Sequence, residues 1–332
     1  MAYQIKTRDE HFQSPGPKRI LAVDGGGLRG IFTLELLQRI EDILKARHGQ
    51  GFRLGHYFDL MAGTSTGSVI ASSLALGMTV DEVRDRYEAL GRNVFKKSPF
   101  RYGAIRAKYD TEALVEALQD TFSADTIMGS EKIQTGLLVM TKRRDTGSPW
   151  PISNNPVGKY FAGNRKQSYI PNKDYPLWSV VRASTAAPAF FKGETIEIAR
   201  QPGKPPVIGE FVDGGVSPFN NPALQAFMYS TLEGHRIRWP MGAENILMVS
   251  LGTGSRDPSV KAKLFEGQNA IKSLVSMMDD CNDLVQTMLQ WMSAGPSAKV
   301  IDREMGDLRN DLLAPNPLLT YLRYNMQLSG ES

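Results

Sequence analysis

Twice near the N-terminus this chain runs through the same pattern: a short apolar stretch, a glycine-rich turn, then apolar residues at helical spacing. Residues 19–23 (RILAV) read as a buried strand, residues 24–30 (DGGGLRG) as the turn, and Ile31, Leu34, Leu37, Ile40 and Leu44 as one face of a helix reaching His48 and Gly49. The pattern returns with an apolar run at 57–62, which fits a strand or a buried helix. A tight turn at 63–67 (GTSTG) and a small-residue helix at 68–76 follow it. A chain that alternates strand and helix in this way predicts an α/β fold, with a mostly parallel central sheet covered by helices on both faces.

The remaining signals extend that plan. Thr79 and Glu82 have capping-box spacing for a helix to about Asn93, and residues 111–122 suit another helix with Asp110 as N-cap. Strands are expected at 133–140, 210–212 and 246–251, and helices at 176–184 and 221–232. Residues 142–175, rich in Pro, Gly, Asn and basic side chains, read as a long excursion. Beyond about residue 260 no strand-like run is evident, and Ile271, Leu274, Met278, Leu284, Met288 and Trp291 suit a long helix. The expected organisation is an N-terminal arm (1–17), a main α/β domain (18–254) and a helical C-terminal extension packed on it (255–332).

Composition narrows the class. Of 332 residues, 41% are hydrophobic, ample for a large core. The net charge of +4 is mild, where a nucleic-acid binder would concentrate far more positive charge. The single cysteine, Cys281, permits no disulfide within the chain and fits a reducing compartment; its apolar-periodic setting reads as a small core residue. The polar N-terminus has no apolar signal core, and no run of 18 apolar residues occurs, so the expectation is cytoplasmic. Any contact with a membrane would then be peripheral, at its surface.

Three motifs have the chemistry of a site. In GTSTG, Gly63 and Gly67 flank Ser65 and leave the backbone free to bend so that the serine projects as a nucleophile. The helix that follows points its N-terminal amides at developing negative charge. In DGGGLRG, Gly25, Gly26 and Gly27 expose backbone N–H groups able to hold a phosphate or an oxyanion, with Arg29 and Gly30 closing the loop. The same spacing satisfies G-x-G-x-x-G, but a dinucleotide fold expects an acid at the end of the next strand, and Asp59 lies inside its apolar run. Asp213, followed by Gly214 and Gly215, sits at a strand end, where open α/β sheets place ligands.

A Ser–Asp–His triad would need one of four histidines, His11, His48, His56 or His235. Only His235 follows Asp213 in hydrolase order, and its Glu-Gly-His-Arg setting reads as a helix end; the triad stays open as an alternative esterase reading. Asp279, Asp280 and Asp283 share a helix and read as a solvated face rather than a metal site. The basic and aromatic stretch from Lys96 to Tyr109 is either a solvated loop or a contact for anionic headgroups.

In this order, DGGGLRG at 24–30, GTSTG at 63–67 and DGG at 213–215 resemble the motifs of the bacterial-type patatin-like phospholipases, as do Ser184-Thr185-Ala186-Ala187-Pro188 and Asn220-Asn221-Pro222. The resemblance covers about residues 18–254. It implies a lipid acyl hydrolase with a Ser65–Asp213 dyad, no histidine, no cofactor and no calcium. Gly25, Gly26, Gly27 and Arg29 would build the oxyanion hole, and Gly30, Gly63, Gly67, Gly214 and Gly215 would shape the turns. Some bacterial members act in antiphage defence and are switched on by cyclic nucleotides, which makes such an activator an expectation here, held by residues 96–110 or the C-terminal helices. A catalytically weak lipid-binding or storage module is the other class compatible with the sequence.

Overall fold

The computed structural model describes residues 3–94, 111–163, 168–188, 190–256 and 266–328. The basic and aromatic stretch at 96–109 and the N-cap Asp110 lie outside the described residues. The strands are β1 (Lys18–Val23), β2 (Leu60–Thr64), β3 (Gly136–Arg143), β4 (Pro149–Ser153), β5 (Glu194–Ala199), β6 (Val207–Asp213), β7 (Ile246–Leu251), β8 (Ser255–Arg256), β9 (Ser293–Ala294), β10 (Leu319–Tyr324) and β11 (Gln327–Leu328). The α-helices are α1 (Arg8–Gln13), α2 (Gly30–His48), α3 (Leu54–Tyr57), α4 (Thr66–Ala75), α5 (Val80–Val94), α6 (Thr111–Phe122), α7 (Leu177–Ser184), α8 (Ala223–Thr231) and α9 (Glu266–Trp291).

Among the described residues, nine strands form one sheet in the order β5-β6-β3-β2-β1-β7-β10-β9, with β4 beside β3. The central pairings from β3 to β9 are parallel, while at one side the pairings of β3 with β4, β3 with β6 and β6 with β5 are antiparallel. Alternation along the strands splits the core in two. Leu21, Val23, Met61, Leu137 and Val139 face one cluster shared with α2, α4, α5, α6 and α7. Ile20, Ala22, Leu60, Ala62 and Leu138 face a second, shared with α1 and α8 and with Val285 and Leu289 of α9. Both faces of the sheet are therefore dry, which is why its strands read as continuous apolar runs.

Three features depart from the sequence reading. The arm before residue 18 contains α1, a capped helix whose His11 and Phe12 are buried. The excursion at 142–175 folds back as β4, and β5 was not anticipated. The C-terminal part holds the long helix expected, but it also supplies β10, which lies between β7 and β9 and so belongs to the sheet. It follows the proline-rich segment Ala314-Pro315-Asn316-Pro317 and interleaves polar with apolar residues (LTYLRY), so it lacks the continuous apolar run by which the equally short β1 and β7 are recognised.

β10 also delivers a charge to the glycine-rich turn. Arg323 reaches past β7 and donates through Nη1 and Nη2 to the two Asp24 carboxylate oxygens at 2.9 and 2.6 Å, and through Nη1 to Ser250 Oγ at 2.9 Å. Both partners of the ion pair are 3% exposed. Removing one partner of such a pair leaves the other as an uncompensated buried charge. Arg323→Met should thus lower the unfolding free energy by about 3–5 kcal/mol in urea melts. A loss below about 1 kcal/mol, the range of exposed pairs, would show that the pair does not brace the turn.

Candidate functional site

Ser65 stands alone between the end of β2 and the start of α4, with φ 52° and ψ −129°. A side-chain-bearing residue adopts this left-handed conformation only when its surroundings impose it, at a cost of about 1–3 kcal/mol. Here the surroundings do. The Ser65 N–H donates to Ser184 Oγ at 2.8 Å, and the Ser184 hydroxyl donates in turn to Met140 O at 2.6 Å. The Ser65 carbonyl accepts from the Ser68 N–H and hydroxyl at 2.8 and 2.6 Å. The flanking glycines are required by close approach: a β-carbon on Gly63 would lie 2.4 Å from Gly67 O, and one on Gly67 would lie 2.3 Å from Val23 O.

Asp213, the last residue of β6, is 5% exposed. Ser65 Oγ donates to its Oδ2 at 2.6 Å, and the Gly215 N–H donates to its Oδ1 at 2.7 Å. Burial pushes the Asp213 carboxyl up to about 6; the two hydrogen bonds and the positive charge of buried Arg182 oppose that rise. A carboxylate made this basic is a better proton acceptor than an ordinary one near 4. Gly214 is held against β3, where a β-carbon would lie 2.3 Å from Met140 O.

The glycine-rich loop lies alongside. A β-carbon on Gly25 would stand 3.0 Å from Ser65 Cβ, so the missing side chain is what lets the loop touch the elbow. The Gly25 N–H is engaged, donating to Asn220 O at 3.1 Å, and the Gly26 N–H makes a longer bond to Thr66 Oγ1 at 3.3 Å. Gly27 has φ 58°, and its carbonyl accepts from the Tyr87 hydroxyl. Arg29 donates to Gly254 O at 2.8 Å and to Gly26 O at 3.5 Å, which ties the loop to the turn after β7. Gly30 packs against the Tyr87 hydroxyl, where no β-carbon would fit. The sequence-expected residues Ser65, Asp213, Gly25, Gly26, Gly27 and Arg29 are thus brought together.

The four histidines are occupied elsewhere. His11 Nδ1 pairs with Asp59 at 2.9 Å, His56 Nδ1 accepts from the Arg53 N–H at 3.1 Å, and His48 packs on Phe52 at 4.6 Å. His235 follows the C-terminus of α8 and stacks on Tyr229 at 4.3 Å, lining a cavity of about 460 Å³ with Trp150 and Tyr160. Asp59, the acid a dinucleotide site would need, is buried against His11 and Lys6. Among the described residues no three His, Cys, Asp or Glu side chains group as a metal site. Reading the sequence missed the parts played by Ser184 and Asn220, although both lie in stretches it singled out, and missed Arg182 and Arg323.

The patatin-like phospholipase family model matches residues 21–227. An intracellular phospholipase A2 of Caenorhabditis elegans is 29% identical over 79% of this chain and 22% of its own length. A cGAMP-activated phospholipase of Vibrio cholerae is 29% identical over 52% of this chain and 49% of its own. A cUMP-AMP-activated phospholipase of Escherichia coli is 32% identical over 64% of this chain and 59% of its own. The chain therefore spans less than two thirds of each of these relatives.

The close approach at the elbow has a direct test. Gly63→Ala must push the α4 N-terminus away from β2, and overpacking of this kind costs about 1–3 kcal/mol. Urea melts should show that loss, together with slower labelling of Ser65 by a fluorophosphonate. Wild-type stability and labelling would mean that the turn has room to spare.

Proposed function

This chain belongs to the patatin-like phospholipase family, and on that premise we propose that it hydrolyses fatty-acyl esters of phospholipids through a Ser65–Asp213 dyad and an acyl-enzyme. The observation that carries the reading is the 2.6 Å hydrogen bond from Ser65 Oγ to a buried carboxylate, made by a serine held at positive φ. Ser65 Oγ attacks the ester carbonyl carbon while Asp213 takes the hydroxyl proton. The tetrahedral oxyanion is stabilised by the Gly26 and Gly27 N–H groups and by the N-terminus of α4. Gly25, its own N–H already committed, gives the loop its close approach to Ser65, and Arg29 holds the loop through Gly254. Collapse expels the lysophospholipid alcohol, which receives the proton from Asp213, and water clears the acyl-enzyme.

Among the described residues no helix is long and apolar enough to cross a membrane. Leu28, in the glycine-rich loop, is 55% exposed and would meet a lipid surface. The exposed Leu28 supports peripheral engagement of a bilayer, and a cytoplasmic location is part of the proposal. The names of the two bacterial relatives, cGAMP-activated and cUMP-AMP-activated phospholipase, support cyclic-nucleotide activation, and a role in antiphage defence is part of the same proposal. Mass spectrometry of mixed phospholipid vesicles, incubated with and without cGAMP or cUMP-AMP, tests both parts: release of fatty acid reports the hydrolase, and its dependence on the nucleotide reports the activator.

Asp213→Asn keeps the shape of the side chain but cannot accept the proton, so activity should fall about a hundredfold or more, while His235→Ala should stay near wild type. Loss of activity in folded His235→Ala equal to that of Asp213→Asn would replace the dyad by a triad. Only the ionised carboxylate is a base, and its pKa is raised to about 6. The value of kcat/KM should therefore fall below about pH 6, approaching tenfold per pH unit. A profile flat down to pH 4.5 would show that Asp213 is not the base.

A further inference from the structure

Asn220 is 3% exposed, and its amide oxygen accepts from no group among the described residues. The orientation of the amide is fixed by its other end. Nδ2 points at Gly25 O (3.3 Å) and at Asn282 Oδ1 of α9 (3.4 Å). Turning the amide over would set oxygen against the Gly25 carbonyl, so Nδ2 belongs there and Oδ1 faces the other way. That other way is the site. The position a β-carbon would take on Gly215 is 2.9 Å from Asn220 Oδ1 and 3.0 Å from Asp213 Oδ1, and the position a β-carbon would take on Gly25 is 2.5 Å from Asn220 Oδ1 and 3.0 Å from Ser65 Cβ. An acceptor without a donor thus stands beside the nucleophile and the carboxylate, next to two residues with no side chain.

We infer that Asn220 positions the water that hydrolyses the acyl-enzyme, holding one of its hydrogens on Oδ1 while Asp213 accepts the other. The inference rests on the acyl-enzyme reading above and assigns a residue to its second half. Before acylation the Ser65 hydroxyl occupies Asp213 Oδ2. Once Ser65 Oγ carries the acyl group it has no proton to donate, and the carboxylate is open to a new donor. Water fits because it brings two hydrogens to two acceptors. Its oxygen forms the bond to the acyl carbon as its proton passes to Asp213. The bond from the acyl carbon to Ser65 Oγ then breaks, the proton returns from Asp213 to Ser65, and the free fatty acid leaves. Asn220 does not lose or gain a proton; it fixes which lone pair of the water faces the carbonyl.

A 4-nitrophenyl ester followed by stopped flow separates the two halves, since nitrophenolate leaves on acylation and turnover needs deacylation. Asn220→Ala should keep the rate of fluorophosphonate labelling at Ser65 and show a burst close to one nitrophenolate per enzyme. Its steady-state rate should fall roughly 10- to 100-fold, the scale of a misplaced reactant. Asn220→Leu, which keeps the volume of the side chain but has no acceptor, should give the same signature and serves if Asn220→Ala does not fold. Equal slowing of labelling, burst and turnover in the folded variants would overturn the inference and reduce Asn220 to a brace for Gly25. Wild-type protein that turns over the ester without labelling at Ser65 would overturn the acyl-enzyme reading itself, and the inference with it.

Discussion

At the head of the sheet the end of β1 and the start of α4 come so close that no β-carbon fits between them. A side chain on Gly67 would lie 2.3 Å from Val23 O and 2.5 Å from Asp24 O, and one on Gly63 would meet the same helix turn from the other side. This contact sets two loops at once. It forces Ser65 into its left-handed conformation at the apex, and it seats the glycine-rich turn directly against that serine. The ion pair between Asp24 and Arg323, and the bonds from Ser184 and Ser68 to the Ser65 backbone, hold the arrangement against its strain. The rigidity belongs to strand ends and helix termini, where a site keeps its geometry better than on free loops.

The electrostatics follow from the same packing. Asp213 is buried because β6 ends beneath α7, and burial raises its pKa to about 6. The Ser65 hydroxyl, the Gly215 N–H and Arg182 limit that rise, so the carboxylate stays ionised at neutral pH while being more basic than an exposed aspartate. A serine–carboxylate pair can thereby move a proton without an imidazole, and each of the four histidines has structural work elsewhere in the molecule.

Local pattern made much of this visible in the sequence. The strand–turn–helix units announced β1, α2 and α4, and the three glycine motifs marked the loops that converge on Ser65. What stayed hidden depends on contacts between distant parts of the chain. Ser65 and Ser184, whose hydroxyl accepts from its N–H, are separated by 119 residues, and Arg323 and Asp24 by 299, and nothing in the local periodicity around either residue indicates its partner. Asn220 was visible only as part of an Asn-Asn-Pro stretch; the meaning of its amide oxygen depends on which atoms face Gly25 and Asn282. β5 and β10 were missed for a different reason: each interleaves polar with apolar residues (ETIEIA and LTYLRY), so neither stands out as the continuous apolar runs of the equally short β1 and β7 do.

The proposed ester cleavage passes through a covalent bond to Ser65 Oγ. Intact-protein mass spectrometry on enzyme quenched with acid during turnover of a single-chain phospholipid tests it most directly. A mass increase of one acyl group is expected, mapped by peptide sequencing to Ser65 and absent in Ser65→Ala. Turnover with no adduct on a timescale that resolves the burst, or an acyl group mapped to another residue, would contradict it.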